Sequence, residues 1–402
     1  MSGTADPLCV LFQLVGIIIL TRGYDRKSVL ASSACLILAL LCKESAVAFP
    51  LLTMGLLFYQ HEDQRSPKIY LKTWPFWAIT AIYICIRIYL SGSSGFLDAF
   101  ADPNAGFLNR LSIALATLPT YLRLIFWPSG LHVERTLLEH AGLSFAPILG
   151  GVAIIAISAA LIILATSRTM PLAWGILWAA AAHIPESGIL APVNAPVCEH
   201  WLYFPSMGLI LGTTQYLAGY LDGEGQKGIR RGVGIAIVAV TILLGAKTFL
   251  QNRIWLNAET LFQNAFANGE TSDRAHINLG EYYLGLGEFD KAIAQFEIPV
   301  ANQSRLSHWS ELHFLLAAGY LHVDPNKPSV HEEIAEIARA LPVAKRIPDA
   351  KRELDTALAL NPGLFWANEM MAQIYAYQGE NDEARKYLVR AGASAAREHV
   401  GH

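Results

Sequence analysis

Two pairs of adjacent ionisable residues carry the first indications of chemistry in this sequence. Glu199 and His200 combine a carboxylate with an imidazole at the predicted start of a helix, and Glu134 precedes Arg135 in a predicted loop. Carboxylate and imidazole groups can accept and donate protons, so Glu199, His200 and Glu134 are our candidate catalytic residues. Structural roles compete with this interpretation, because a carboxylate at a helix N-terminus is favoured by the helix dipole and Glu134 can form a solvated ion pair with its neighbour.

A third group suggests binding of an anion. Lys43 and Glu44 interrupt a long uncharged stretch, and Arg123 follows a proline near the end of an apolar segment. An ionisable pair in such surroundings is costly and therefore predicts function, with Lys43 holding a lipid phosphate and Glu44 orienting it. A self-neutralising pair in a helical hairpin and a snorkelling Arg123 are the structural alternatives. The histidines show no HExxH or comparable zinc spacing, so no metal site is predicted.

The composition indicates what kind of scaffold positions these residues. The 402 residues are 53% hydrophobic and 16% charged, with a mean hydropathy of +0.35, whereas soluble chains average about 25% charged. Charge is sparse in 1–250 and ordinary in 251–402. We therefore predict an all-α protein with a multi-pass transmembrane domain, 1–250, followed by a soluble helical-repeat domain, 251–402. The net charge of −3, without a basic face, argues against a nucleic-acid partner.

The loops of the predicted membrane domain set its orientation. Lysine and arginine are concentrated in one set of alternate short loops, whereas the opposite set carries Lys43, Arg110 and Arg135. The positive-inside rule assigns the richer set to the cytoplasm. The candidate residues and the whole of 251–402 are then predicted to lie outside the cytoplasm.

The C-terminal part shows the spacing of tetratricopeptide (TPR) repeats. Residues of the types that this repeat has at its helix-contact positions occur three times along the chain. They are Leu279, Gly280, Tyr283, Gly287, Ala292 and Phe296, then Ala350, Leu354, Ala357 and Pro362, and then Tyr375, Gly379, Ala384 and Leu388. Repeats of this length form stacked helix pairs with a concave face. We predict about three pairs with an insertion near 324–347, and a concave face that binds protein.

Several segments together resemble one family of membrane enzymes. They are Gly3 to Asp6, Leu40 to Val47, Tyr121 to Leu131, Glu199 to Gly208 and Trp255 to Leu261. These segments are similar to motifs of the transmembrane and tetratricopeptide-repeat O-mannosyltransferases, glycosyltransferases of the GT-C superfamily.

The resemblance implies transfer of a mannose-type sugar from a polyprenyl-phosphate donor to a protein or glycan acceptor. No cofactor is expected, and membrane lipid, the donor and a peptide or protein acceptor held by the repeats are the implied partners. The family's catalytic acidic loop precedes the segment that begins at Gly3, so it is not in this sequence. Thr4 and His200 stand where the family has arginine.

Two alternatives to an active enzyme follow from these departures. The chain could be an inactive relative, or a non-catalytic membrane-anchored TPR scaffold for protein–protein interaction. A transporter is disfavoured, because the polar groups gather at one surface rather than at the membrane midplane. For the location we favour a bacterial inner membrane with a periplasmic repeat domain over the endoplasmic reticulum, since the predicted outer domain contains no cysteine.

Overall fold

The computed structural model describes residues 4–60, 70–91, 106–133, 135, 145–190, 193, 195, 197–222, 227–303, 305–324 and 345–400. These residues are almost entirely helical. The β-type pairing that they contain is an isolated antiparallel bridge between Arg135 and Val197. The all-α fold class predicted from the sequence is confirmed. The chain separates into two compact units, Met1–Thr248 and Phe249–His402.

The first unit contains nine helices among the described residues. They are α1 (Ala5–Thr21), α2 (Arg26–Cys42), α3 (Phe49–Gln60), α4 (Trp74–Ser91), α5 (Phe107–Phe126), α6 (Phe145–Ile163), α7 (Met170–His183), α8 (Tyr203–Leu221) and α9 (Lys227–Gln251). Of the short 3-10 turns between these helices, three matter for the site: Glu44–Ala48, Ile184–Glu186 and Glu199–Leu202.

Three stretches of the described residues are long and apolar enough to cross a membrane. They are Leu71–Leu90, Phe145–Ile163 and Lys227–Leu256. A helix needs about 20 apolar residues to span the hydrocarbon core, and α3 and α7 are shorter, with 12 and 14 residues. None of the residues of α9 is buried, as expected of a helix whose surroundings are lipid. These features fit association with a membrane.

The core of the first unit is aromatic where α3, α4, α7 and α8 meet. The Phe49 and Phe76 rings pack edge to face with centroids 5.2 Å apart, and Trp178 packs in the same way on Phe204. The indole Nε1 of Trp178 also donates a hydrogen bond to the Phe204 carbonyl over 3.1 Å. This combination of ring packing and hydrogen bonding fixes the end of α7 against the start of α8.

Small residues let α7 and α8 approach closely. A Cβ atom added to Gly208 would lie 2.3 Å from the Trp178 side chain, and one added to Gly212 would lie 2.5 Å from the Pro171 carbonyl oxygen. Glycine allows such backbone contact, which is the usual basis of helix association in membranes. The turns that carry Glu186 and Glu199 are attached to this tightly packed pair.

The second unit is a stack of helices. Among its described residues are α10 (Ala258–Ala267), α11 (Asp273–Leu286), α12 (Phe289–Ala301), α13 (Ser310–Tyr320), α14 (Ile347–Leu360), α15 (Phe365–Tyr377) and α16 (Asn381–Val400). The helices α11 and α12, α13 and α14, and α15 and α16 pack as pairs. The predicted insertion near 324–347 falls largely outside the described residues.

Glycines make two features of these pairs possible. Gly287, which caps α11 before α12 begins, has a φ of +77°, a conformation that glycine adopts without strain. Gly280 lies against the Phe296 ring, where a Cβ atom would be 2.5 Å from the nearest ring carbon. Both positions belong to the repeat pattern seen in the sequence.

Candidate functional site

A charged cluster forms where the turns after α2 and α7 meet the start of α1. The Lys43 ammonium donates a short hydrogen bond to Asp6 and a second, of 3.0 Å, to Oε1 of Glu186. The three side chains are 19%, 33% and 14% exposed, respectively. One cation is thus shared by two carboxylates in a partly buried position.

The local backbone explains how Lys43 reaches this position. Helix α2 ends at Cys42, and Lys43 adopts an extended conformation with φ −158° and ψ 143° before the Glu44–Ala48 turn begins. Its amide still donates to the Ala39 carbonyl, over 3.0 Å. The last bond of α2 therefore holds the residue in place while its side chain leaves the helix.

Glu186 is placed by a proline-containing turn. Helix α7 ends at His183, and Pro185, which has no N–H to donate, lies in the 3-10 turn that follows. The Ser187 hydroxyl donates a 2.7 Å bond to the Ile184 carbonyl and closes this turn. Glu186 thus lies beyond the helix end, with its carboxylate directed to Lys43.

The pKa values of the contacting pair follow from burial and charge. Burial raises the pKa of the Glu186 carboxyl to about 7, although Lys43 acts to lower it and Asp6 to raise it. Burial lowers the pKa of Lys43, but Glu186 and Asp6 outweigh this effect, and the net pKa lies above that of ordinary lysine. The ammonium is therefore retained, and Glu186 is the group that titrates near neutral pH.

The sequence predicts that Glu44 has an orienting role beside Lys43. In the structure the Glu44 carboxylate does not contact the Lys43 ammonium. Its carboxylate lies 3.9 Å from the Arg87 guanidinium, and both side chains are more than half exposed. A pair of this kind contributes about 0–1 kcal/mol. The extended backbone at Lys43 explains the difference, because successive side chains of an extended segment point to opposite sides.

A second polar cluster is built around Glu199. Its Oε1 accepts a 2.5 Å hydrogen bond from the Arg135 guanidinium and a 3.0 Å bond from the backbone N–H of His132. Arg135 also donates to the Gly130 carbonyl over 2.8 Å, and its backbone N–H donates to the Val197 carbonyl over 2.9 Å. Glu199 thus holds the segment after α5 against the turn before α8.

Helix α5 contacts the same region through Tyr121. The buried Tyr121 hydroxyl accepts a 3.3 Å hydrogen bond from the backbone N–H of Cys198, and its ring packs edge to face on His183 at 4.8 Å. Arg123 lies on the exposed side of α5, where its guanidinium donates to the Ser129 hydroxyl over 3.3 Å. Arg123 therefore supports the turn after α5 and does not join the cluster around Lys43.

The remaining candidates have different environments. His200 is exposed, with its ring 5.8 Å from that of Trp201, and lies close enough to Lys43 and Asp6 to interact with both electrostatically. Glu134 lies outside the described residues. No group of His, Cys, Asp and Glu suitable for a metal ion occurs in the part of the chain that the structure describes.

The sequence alone assigned no role to Asp6 or Glu186, and it did not predict that Lys43 contacts them. Asp6 enters the sequence analysis only as the end of the resembling segment that begins at Gly3, and Glu186 does not enter it. Their shared signal is that each follows or precedes an apolar helix directly, at the same predicted membrane surface as Lys43. Charged residues in such positions are costly unless they are paired.

The fold and site describe a helical, membrane-associated protein with a helical-repeat unit. Over 141 residues, 35% of its length, the chain is 28% identical to Protein O-mannosyl-transferase Tmtc3 of Drosophila melanogaster. Over 122 residues it is 28% identical to Protein O-mannosyl-transferase TMTC1 of Mus musculus and 27% identical to the protein of the same name of Homo sapiens. No known protein-family model matches the chain.

The similarity is limited in extent. The matched stretch covers 15% of the Drosophila protein and 13% and 14% of the mouse and human proteins. The chain therefore matches far less than two thirds of the length of these relatives. Over this stretch the chain is similar to proteins named as O-mannosyl-transferases.

Proposed function

We propose that the chain acts in a membrane glycosyltransferase that moves a sugar, of the mannose type, from a polyprenyl-phosphate donor to a protein or glycan acceptor outside the cytoplasm. The observation that carries the proposal is the Lys43 ammonium held by Asp6 and Glu186 at the junction of helix ends. A fixed cation of this kind can stabilise the phosphate that leaves when the sugar is transferred. The similarity to the O-mannosyltransferases supports the same class of reaction.

The proposed step has a simple balance. The bond between the sugar C1 and the phosphate oxygen breaks, and a bond forms between C1 and the acceptor hydroxyl oxygen. The hydroxyl proton leaves to a base, and polyprenyl phosphate departs with the electron pair of the broken bond. In this scheme Lys43 contacts the phosphate, and His200 and Glu199 position donor and acceptor. Glu134 stays a candidate for the same role.

The test uses membranes that contain the full chain and a polyprenyl-phosphate mannose labelled in the sugar. We expect label to appear in protein or glycan, and Lys43→Met to lower the rate by at least about tenfold, because it removes the cation that faces the phosphate. Lys27→Met is the matched control, since Lys27 is exposed at the start of α2. Transfer equal to that of membranes without the chain would overturn the proposal.

A non-catalytic scaffold is the second candidate, and a groove of the repeat unit favours it. The groove has a volume of about 790 Å³ and is lined by Lys351, Arg352, Asp355, Thr356 and Gln378, among others. Lys351 lies over the Tyr375 ring at 3.8 Å and donates to Gln378 over 3.3 Å. Mixed charges beside an aromatic ring are suited to binding a peptide.

The two candidates can be separated in one preparation. A photo-crosslinking amino acid at Thr356 samples the groove, and the same amino acid at Gln263 on α10 is the control. A scaffold gives a discrete adduct at Thr356 alone and no transfer of labelled sugar. An adduct accompanied by transfer identifies the groove as the place where an acceptor binds.

A further inference from the structure

The cluster at Lys43 has an unbalanced charge. The ammonium contacts the carboxylates of Asp6 and Glu186, so the three side chains carry a net charge of −1 when all are ionised. A lysine ammonium has three N–H donors, and two of them are directed to these carboxylates. One donor is left for a further acceptor, yet an anion that approaches it meets the excess negative charge.

The surrounding groups determine which carboxylate can respond. Glu44, on the turn after Lys43, adds negative charge near Glu186, and the Tyr121 phenol on α5 lies close enough to Glu186 to interact with it electrostatically. His183 ends the helix that carries Glu186, and His200 lies near Lys43 and Asp6. Glu44 is itself paired with Arg87, and the Lys43 ammonium is the cation in contact with Glu186.

We propose that a phosphodiester bound by Lys43 enters together with one proton, which is taken up by Glu186. The inference rests on the proposed function in that the phosphodiester is that of the polyprenyl-phosphate sugar. Glu186 is the more buried of the two carboxylates, with 14% of its side chain exposed against 33% for Asp6. The less hydrated carboxylate is the one that is neutralised at lower cost.

Protonation has a geometric advantage as well as an electrostatic one. A neutral Glu186 keeps a carbonyl oxygen that accepts from Lys43 and gains an O–H that can donate to a phosphate oxygen. Asp6 still compensates the lysine charge. Glu186 thus sets the charge beside Lys43 and supplies a donor to the phosphate, and its burial-raised pKa, about 7, suits uptake of a proton near neutral pH.

The test measures binding without turnover. The affinity of the purified full chain for a labelled polyprenyl-phosphate mannose is determined in detergent, without acceptor, from about pH 5.5 to about pH 8.5. A phosphodiester keeps a single charge over this range, so a change with pH belongs to the protein. We expect a constant dissociation constant at the acidic end and an increase of about tenfold per pH unit above about pH 7. Glu186→Gln is expected to remove the dependence and to bind more tightly at the alkaline end.

Two controls keep the result independent of folding and of the transfer reaction. Glu44→Gln removes a neighbouring carboxylate that does not contact Lys43, and it should leave the pH dependence in place. Direct measurement with a pH indicator in weakly buffered wild-type protein should show uptake of about one proton per donor bound above about pH 7.5. This measurement needs no variant.

The outcomes are distinct. Wild-type affinity that does not change with pH, or a dependence that persists in Glu186→Gln, overturns the inference. Proton-coupled binding without any transfer in the membrane assay overturns the proposed function and leaves the inference standing. Dimethyl phosphate, which has no lipid tail, should compete only at much higher concentration; equal competition would contradict a lipid-borne phosphate.

Discussion

The Lys43 ammonium lies 3.0 Å from Oε1 of Glu186, although 143 positions separate the two residues in the sequence. The contact joins the turn after α2 to the turn after α7. With Asp6 it also includes the start of α1. Three separate helix ends are thus connected through a single ammonium group.

A first prediction concerns the stability of this cluster. Lys43→Met leaves Asp6 and Glu186 without a cation, and we expect a loss of about 1–3 kcal/mol in the free energy of unfolding, below the 3–5 of a fully buried pair because the carboxylates are partly hydrated. Adding Glu186→Gln should recover part of the loss. Denaturant titration in mild detergent measures the double-mutant cycle.

The exposed pair of Arg87 and Glu44 provides the control for the double-mutant cycle of Lys43 and Glu186. Its side chains are 53% and 63% exposed and lie 3.9 Å apart, so the corresponding cycle should give about 0–1 kcal/mol. Equal coupling in the two cycles would show that the Lys43 cluster is no more than a surface ion pair.

A second prediction concerns the hydrogen bonds of Glu199. Glu199→Gln keeps an oxygen that can accept from the His132 N–H, whereas Glu199→Ala removes the acceptor altogether. We expect exchange of the His132 amide hydrogen to be about tenfold faster in Glu199→Ala, since each 1.4 kcal/mol corresponds to a factor of ten. Hydrogen exchange with mass spectrometry checks this result. Unchanged exchange in Glu199→Ala would contradict a holding role for Glu199, and Glu44→Ala should have no effect.

A third prediction tests the close approach of α7 and α8. Gly208→Ala places a methyl group 2.3 Å from the Trp178 side chain, and we expect destabilisation of about 1–3 kcal/mol. Gly219 is on the same helix with no atom within 4 Å of an added Cβ, so Gly219→Ala should be neutral or stabilising by up to about 1 kcal/mol. Similar melting temperatures for the two variants would mean that the helices do not pack through Gly208.

A fourth prediction concerns pH and the repeat unit. His313 Nδ1 contacts Oε2 of Glu353 at 2.7 Å, and its Nε2 contacts the Ser307 carbonyl at 2.9 Å. Two acceptors satisfy an imidazole that is protonated on both nitrogens. Burial lowers the pKa of His313, but Glu353 and the carbonyl raise it to above the ordinary value. For Glu353 the signs are reversed: burial raises the pKa of the carboxyl, but His313 and Arg352 lower it by more.

The signs of these shifts give the pH window. The His313 contribution is complete below its unfolded pKa of about 6.5 and is lost as the pH rises through the raised folded value; the Glu353 contribution is present above about 4.3 and is lost as the pH falls through the lowered folded value. Hydrogen exchange in α13 and α14 of the full chain should therefore be slowest between about pH 4.5 and about 6.5, after correction for the intrinsic rate. His313→Gln should flatten this profile. His276, whose ring contacts the neutral amide of Gln295, is the control, and an equal effect of His276→Gln would contradict the role of Glu353.

The helical character of the fold could be read from the sequence because it depends on local properties. Apolar runs without strand alternation predict helices, and glycines such as Gly287 mark where a chain must turn with positive φ. The repeat positions Leu279, Tyr283 and Phe296 are buried, because their spacing places them on the inner faces of paired helices.

The sequence by itself determined the all-α class, the apolar and polar parts of the chain, and the residue types available for chemistry at Lys43, Glu199 and His200. Only the tertiary structure decided the partners. Lys43 pairs with Asp6 and Glu186 instead of the adjacent Glu44, because its backbone is extended and the long-range packing of α1, α2 and α7 brings distant carboxylates to its side chain. Periodicity records which face of a helix is apolar, but contacts between helix ends depend on how whole helices pack, and this is not encoded in any single stretch of residues.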